Sequence, residues 1–416
     1  MALPLSSLLL LILALILVTG AVPEGVPIHS HHSRRHKALV ASSVVAAFLF
    51  LCLLIYFLCL WHKKRRRRKR LDLGFFESYA EPIRVVTVNS AGQAAKYSKE
   101  SLEQATDTFN ADNIIGSGRI STVYKGARPF FVSFVLESES WIAVKILNIE
   151  NSISNIEYST KLEQFLNSDL NVLSRIRHRN LVEVIGSSLP GEQFVALVTK
   201  FVPNGNLDTA IHGVQEPLDL TMRLNIIITT AQTLVYLHNL CASPIVHCHL
   251  RPTNILLDEG NEVRVSDYGT AVILWSHLQQ ESRAVSEGTI GYIAPEIAVI
   301  DEQEVSSKVD VYSFGVILME IMTRRRPTIG LVSEGSEKVN LRQWVEVGMN
   351  GESVAALVDP ALTEIMSERQ REKIINLLKL SLLCTKERPE ERPSMSQVLS
   401  CLVNIKQDRW DSNFGF

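Results

Sequence analysis

The chain has 416 residues, 46% hydrophobic and 21% charged, with a formal net charge of −2. That length accommodates roughly two to three domains, and the near-balanced charge gives no overall pull toward nucleic acid. The six cysteines, Cys52, Cys59, Cys241, Cys248, Cys384 and Cys401, include no pair at metal-ligand spacing. Free thiols in a reducing compartment are therefore expected.

The first feature is an apolar run at residues 8–18, followed by the small residues Thr19, Gly20 and Ala21. It is short for a bilayer span and suits a signal-peptide core covering residues 1–21, though no basic residue precedes it. An uncleaved anchor is the alternative. Residues 22–37, "VPEGVPIHSHHSRRHK", form a short extracellular stub carrying His29, His31, His32 and His36. A flexible polar stub is expected rather than a metal site, and it is too short to fold as a ligand-binding domain. Residues 38–61 follow without a single charge. At a 1.5 Å rise they span ~36 Å, enough for a transmembrane helix. "HKKRRRRKR" comes next, with eight basic residues at positions 63–70. Such a block stays on the cytoplasmic side and favours anionic lipid. The expectation is a single-pass plasma-membrane protein whose C-terminal part is cytosolic.

Residues 62–97 read as a basic juxtamembrane linker. A short helix is expected over residues 98–112, with Ser98 as N-cap and Leu102, Ala105 and Phe109 at helical spacing. From Asn113 to about Ala143 the chain is β-branched and glycine-punctuated, as hairpin strands are. Helical periodicities then take over, notably at residues 220–240, 309–322 and 372–383. A β-rich lobe followed by a larger helical one is an α+β pattern. One domain over residues 113–405 and a tail at 406–416 are expected.

"IIGSGRISTVYKG" places Gly116 and Gly118 in a turn between strands, with Ser121 where a third glycine often sits. Glycines there let the backbone approach phosphates, and Val123 would floor an adenine pocket. Any β-hairpin can carry the same glycine pair. In "WIAVKIL", Ala143 and Lys145 share one strand face. Such a lysine either holds phosphates or is a solvated edge residue. "HCHLRPTNILLD" at residues 247–258 contributes His249, Arg251 and Asn254, and "SDYG" brings Asp267 thirteen positions after Asn254. "GTIGYIAPE" at 288–296, "DVYSFGVILMEIMT" from Asp310 and "RPEERPSM" with Arg392 complete the order.

These motifs, in this order and spacing, resemble those of protein kinases and imply a bilobal protein-kinase fold. The chain is most similar to plant leucine-rich-repeat receptor-like serine/threonine kinases, in particular to the cytoplasmic half of flagellin-sensing members. The likeness covers residues 97–405 and rests on "LEQATDTFN", "STVYKG", "RIRHRNLV", "NGNLDTAIHG", "PIVHCHLRPTNILLD" and "GTIGYIAPE". The repeat ectodomain of those receptors is absent from this sequence. The resemblance implies ATP and Mg2+ as ligands. The nucleotide pocket would take Ile115, Gly116, Ser117, Gly118, Val123, Ala143 and Lys145, with Thr199 as gatekeeper and residues 200–202 as hinge. Asn254 and Asp267 would offer oxygens to magnesium. Asp169 stands where the family has the glutamate that pairs with the lysine. Glu296 would pair with Arg392, and Asp310 would brace the catalytic loop. Other receptor-like kinases or cytosolic signalling proteins are the implied partners.

Several residues depart from that pattern. His249 replaces the aspartate that accepts the substrate proton, and Arg251 replaces a lysine. Cys248 stands where an arginine would meet an activation-loop phosphate. Residues 127–141 form a longer, more apolar connection than the family's short turn. Loss of a general base costs ~10² to 10⁴ in rate, yet phosphoryl transfer depends mostly on positioning and charge. A histidine with an ordinary pKa near ~6.5 offers a proton acceptor at Nδ1 but no negative charge. Three readings follow: an ATP-binding pseudokinase that signals by association, a slow serine/threonine kinase, and a scaffold or receptor relic that binds no nucleotide. The first is the expectation.

Overall fold

Strand β4 (Trp141–Leu147) sets the two faces of the small lobe. Successive strand side chains point opposite ways. Ile142 and Val144 turn inward and pack with Tyr97, Leu102, Ala196 and Val198. Ala143 and Lys145 therefore face the other side.

The computed structural model describes residues 94–118, 121–127, 141–147, 170–189, 195–214, 216–241, 244–268, 291–298, 305–327, 340–350, 354–363 and 366–409. All of these fall in one compact unit, Val85–Phe416. The two N-terminal apolar runs, the histidine-rich stub, the basic block, Asp169 and residues 128–140 of the long connection lie outside the described residues. Among the described residues, no helix is long and apolar enough to cross a membrane.

The small lobe is a six-stranded sheet in the order β1-β5-β6-β4-β3-β2. The other strands are β1 (Ala95–Tyr97), β2 (Ile114–Ser117), β3 (Ser121–Ala127), β5 (Val184–Ser188) and β6 (Val195–Lys200). Neighbours are antiparallel except β1, which runs parallel to β5. The last three residues of the expected linker thus belong to the sheet. Gly186 makes this approach possible, because a Cβ there would lie 2.1 Å from the Ala95 carbonyl oxygen.

Helix α1 (Lys99–Ala105) begins where expected, with the Ser98 hydroxyl accepting from the Ser101 N–H at 3.3 Å. It ends earlier than the 98–112 reading. Asp107, Thr108 and Phe109 all take left-handed φ values, 56°, 56° and 53°. The Thr106 hydroxyl donates to the Leu102 carbonyl at 2.7 Å. Such local side-chain bonds compete with helix continuation. Phe109 still reaches the core, tilted against Tyr124 with ring centroids 5.4 Å apart.

Short α2 (Leu170–Leu173) lies between β4 and β5 in the chain, and the large lobe follows β6. That lobe comprises α3 (Leu207–His212), α4 (Leu220–Val235), α5 (Lys308–Thr323), α6 (Leu341–Met349), α7 (Pro360–Thr363), α8 (Glu368–Cys384) and α9 (Met395–Lys406). Asn206, Asp219, Ser367 and Ser394 cap α3, α4, α8 and α9 with their side-chain oxygens. The three periodic segments each form a helix, and the first widens into a single π turn at Tyr236–Leu240. Helix α5 is buried almost throughout, and Gly315 lets it close on α8, with a Cβ there only 2.7 Å from Cys384 Cβ. A hairpin, β7 (Ile255–Leu257) and β8 (Val263–Val265), carries the loop between His247 and Asp267.

Candidate active site

Strand register gathers the nucleotide-pocket candidates. Val123 lies opposite Lys145 across β3 and β4, and Ala143 lies opposite Thr199 across β4 and β6. Directly paired residues share a face. Val123, Ala143, Lys145 and Thr199 therefore stand together, joined by Leu197 opposite Lys145, which sequence reasoning did not single out. Gly116 pairs with Val123 beside a bulge, and the Gly118 N–H donates to the Ser121 carbonyl at 2.8 Å. Ile115, Ser117 and Gly118 are exposed on that turn. Among the hinge residues, Lys200 donates its N–H to the Glu183 carbonyl and Phe201 to that of Trp141, at 2.9 and 3.2 Å.

Lys145 Nζ lies 2.5 Å from Asp267 Oδ2, with both side chains mostly buried. Burial alone would raise the Asp267 pKa, but the neighbouring Lys145 ammonium prevails and holds the carboxyl below its ordinary value. This pair joins the small lobe to the large one. Asp169, the expected partner of Lys145, is outside the described residues. Tyr268 is buried and donates its hydroxyl to the Val182 carbonyl at 2.9 Å.

The loop between is pinned by Asp310. Its two carboxylate oxygens accept the His247 and Cys248 N–H groups, each at 2.7 Å, and His238 Nε2 is 2.7 Å from Oδ2. This holds Cys248 at φ 58°, a left-handed conformation that non-glycine residues rarely adopt. The His247 ring is enclosed, with Nε2 2.9 Å from the Ser266 carbonyl. A carbonyl only accepts, so Nε2 carries the proton, and Nδ1 accepts the His249 N–H at 3.2 Å.

The same logic fixes His249. Asn254 Nδ2 donates to the His249 carbonyl at 2.8 Å and lies 3.1 Å from His249 Nδ1. Because the carbonyl demands a donor, the amide nitrogen must face this way, and Nδ1 must accept. The imidazole proton then sits on Nε2. Burial pushes this imidazole down to about 3; Asp267 opposes the shift, and Lys145 and Arg251 add to it. The ordinary pKa expected from the sequence is therefore corrected: the ring is neutral at neutral pH, and its Nε2–H meets no acceptor among the described residues. Arg251 folds back on the loop, with Nε 2.6 Å from Thr253 Oγ1.

Behind the loop, Arg392 grips Glu296 through two bonds of 2.6 and 2.7 Å, as expected. Nearby, Asp208, His212 and Glu320 have ligand atoms within 4.8 Å of one another. All three are already engaged: Glu320 by His212 and the Tyr292 hydroxyl, and Asp208 by Arg326. That grouping ties α3, α5 and residues 291–298 together.

Residues 109–402 match the family model described as protein tyrosine and serine/threonine kinase. The chain belongs to this protein-kinase family. Its relatives include a putative receptor-like protein kinase of Arabidopsis thaliana, 33% identical over 333 residues, covering 75% of this chain and 30% of that protein. Receptor kinase-like protein Xa21 of Oryza sativa subsp. japonica is 34% identical over 332 residues, 74% of this chain and 30% of its own length. Putative wall-associated receptor kinase-like 13 of Arabidopsis thaliana is 34% identical over 313 residues, 74% and 38% of the two chains. The kinase chain thus spans about a third of the length of the curated relatives it matches.

Kinases of this family use ATP with Mg2+, and the donor set of this one suits that metal. Asn254 turns its amide nitrogen toward His249, leaving Oδ1 with no hydrogen bond among the described residues. With the Asp267 carboxylate it would offer the hard oxygen ligands that magnesium prefers. Lys145 Nζ already contacts Asp267 Oδ2, so a magnesium ion held here would share this carboxylate with the lysine. The supports His238 and Thr253 were missed at the sequence level. His238 reads there as an ordinary helical residue, and no local pattern reveals its contact with Asp310.

Proposed function

We propose that this chain is a membrane-anchored receptor-like kinase that binds Mg-ATP, has lost efficient phosphoryl transfer, and acts in plant receptor-kinase signalling through association. One observation carries the reading: His249 Nδ1 already accepts the Asn254 amide, so the base position presents an N–H where a lone pair is needed. Loss of a general base costs ~10² to 10⁴ in rate. Nucleotide binding is supported by the shared face of Val123, Ala143, Lys145 and Thr199 and by the oxygens of Asn254 and Asp267. Anchoring is supported by the charge-free residues 38–61 and the basic block that follows. An immune-type role, close to flagellin-sensing receptors, is supported by the motif likeness alone.

The test is repair. His249→Asp in the purified full chain should raise autophosphorylation by ~10²-fold or more over wild type. Arg251→Lys should add to this, not necessarily additively, since both act on the same transferring group. Asp267→Ala in the repaired background must silence it. Mg-ATP should also raise the wild-type melting temperature, since a ligand at a hundredfold excess over Kd stabilises by about 2.7 kcal/mol. Lys145→Ala should remove most of that shift. Wild-type transfer within about tenfold of the repaired chain would establish a slow kinase instead. Absence of any thermal shift would leave a scaffold.

A further inference from the structure

We propose that His249 reads the terminal phosphate of the bound nucleotide, so that this cleft holds ATP in preference to ADP. The inference rests on the nucleotide-binding reading above and deepens it.

The tautomer is set by neighbouring backbone. Asn254 cannot turn its amide over without setting Oδ1 against the His249 carbonyl. Its own backbone is fixed too, since its N–H donates to the Arg251 carbonyl and its carbonyl accepts the Ser266 N–H, both at 2.9 Å. With Nδ1 committed as acceptor, Nε2–H is the only polar group the ring has left to offer. A donor at this point suits an anionic oxygen.

Charge points the same way. Among the described residues, Asp267, Lys145, Arg251 and the His247 ring bear electrostatically on His249. An aspartate in this seat would add a second carboxylate beside Asp267 and repel a γ-phosphate bound there. The imidazole removes one unit of negative charge and supplies a donor, and hydrogen bonds to charged oxygens are the stronger kind. ADP has no γ-phosphate to gain from either change. The substitution that removes the base therefore creates a contact specific to the triphosphate. An unconsumed γ-phosphate would keep that contact occupied.

The experiment compares Mg-ATP and Mg-ADP affinities of the full chain in mild detergent by calorimetry, for wild type, His249→Leu and His249→Gln. Wild type should favour ATP. His249→Leu should weaken ATP by about tenfold, equivalent to ~1.4 kcal/mol, and leave ADP unchanged. His249→Gln, whose carboxamide can donate, should recover part of the preference. Long-range 1H–15N spectra of wild type labelled at histidine give a readout independent of any variant's folding, and should show His249 protonated at Nε2. Parallel weakening of both nucleotides in His249→Leu, or a proton found at Nδ1, would overturn the inference and leave nucleotide binding standing. If neither nucleotide binds wild type, both fall together.

Discussion

His178 stacks on Tyr236 with ring centroids 4.5 Å apart, and its Nδ1 accepts the Asn180 N–H at 3.2 Å. Burial, then the charges of Arg179 and Arg264, push its imidazole down to about 4. Above the unfolded value of ~6.5 both states are neutral and nothing is lost. As pH falls from there toward about 4, the unfolded chain takes up a proton that the folded chain refuses, so stability declines across that window. His178→Asn keeps an acceptor near the Nδ1 position and removes the titration. Its melting temperature should fall less between pH 7 and pH 4, by about 2–4 °C for each kcal/mol of linkage removed. An unchanged pH profile would show that His178 does not titrate this way. Such environments explain what could be read from the sequence. Lys145, Asn254 and Asp267 were legible because their spacing is local and ordered. The polarity of His249 was not, because it depends on which way a side-chain amide five residues away is turned.

Helices α4, α5 and α8 were legible as apolar periodicity, whereas β1 was not. Three residues cannot display an alternation, and the strand's pairing to β5 lies 91 residues along the chain, as in the Lys96–Ser187 bond of 3.1 Å. The early end of α1 was hidden for another reason: Phe109 keeps its place in the core without remaining helical. Gly186 provides the test of β1. With a Cβ 2.1 Å from the Ala95 oxygen and 3.0 Å from the Tyr97 ring, Gly186→Ala must push the strand away. Overpacking of this kind costs about 1–3 kcal/mol. Amide exchange at Ala95, Lys96 and Tyr97 should accelerate well beyond that of β6, and the melting temperature should drop. Equal protection in the variant would mean that β1 tolerates a wider spacing.

The bilobal architecture followed from a β-rich segment preceding long helical periods, but the closing contact between lobes did not. Lys145 was expected to pair with Asp169; among the described residues its carboxylate is Asp267, across the cleft. Membrane topology remains the proposal drawn from the basic block. In sealed right-side-out vesicles, external protease should leave the polypeptide from residue 71 onward intact. Its digestion without detergent would reverse the orientation. Strand β1 adds a mechanical consequence. A pull applied at Ala94 along the strand axis would strain the bonds from β1 to β5 and the Leu189 N–H to Tyr97 carbonyl bond together in shear rather than peel them one at a time. Tyr97, buried at the end of the strand, blocks slippage. Such tension would pass into β5 and then β6, the strand bearing Thr199, so that a tug on the proposed membrane tether would be felt at the wall of the candidate nucleotide pocket.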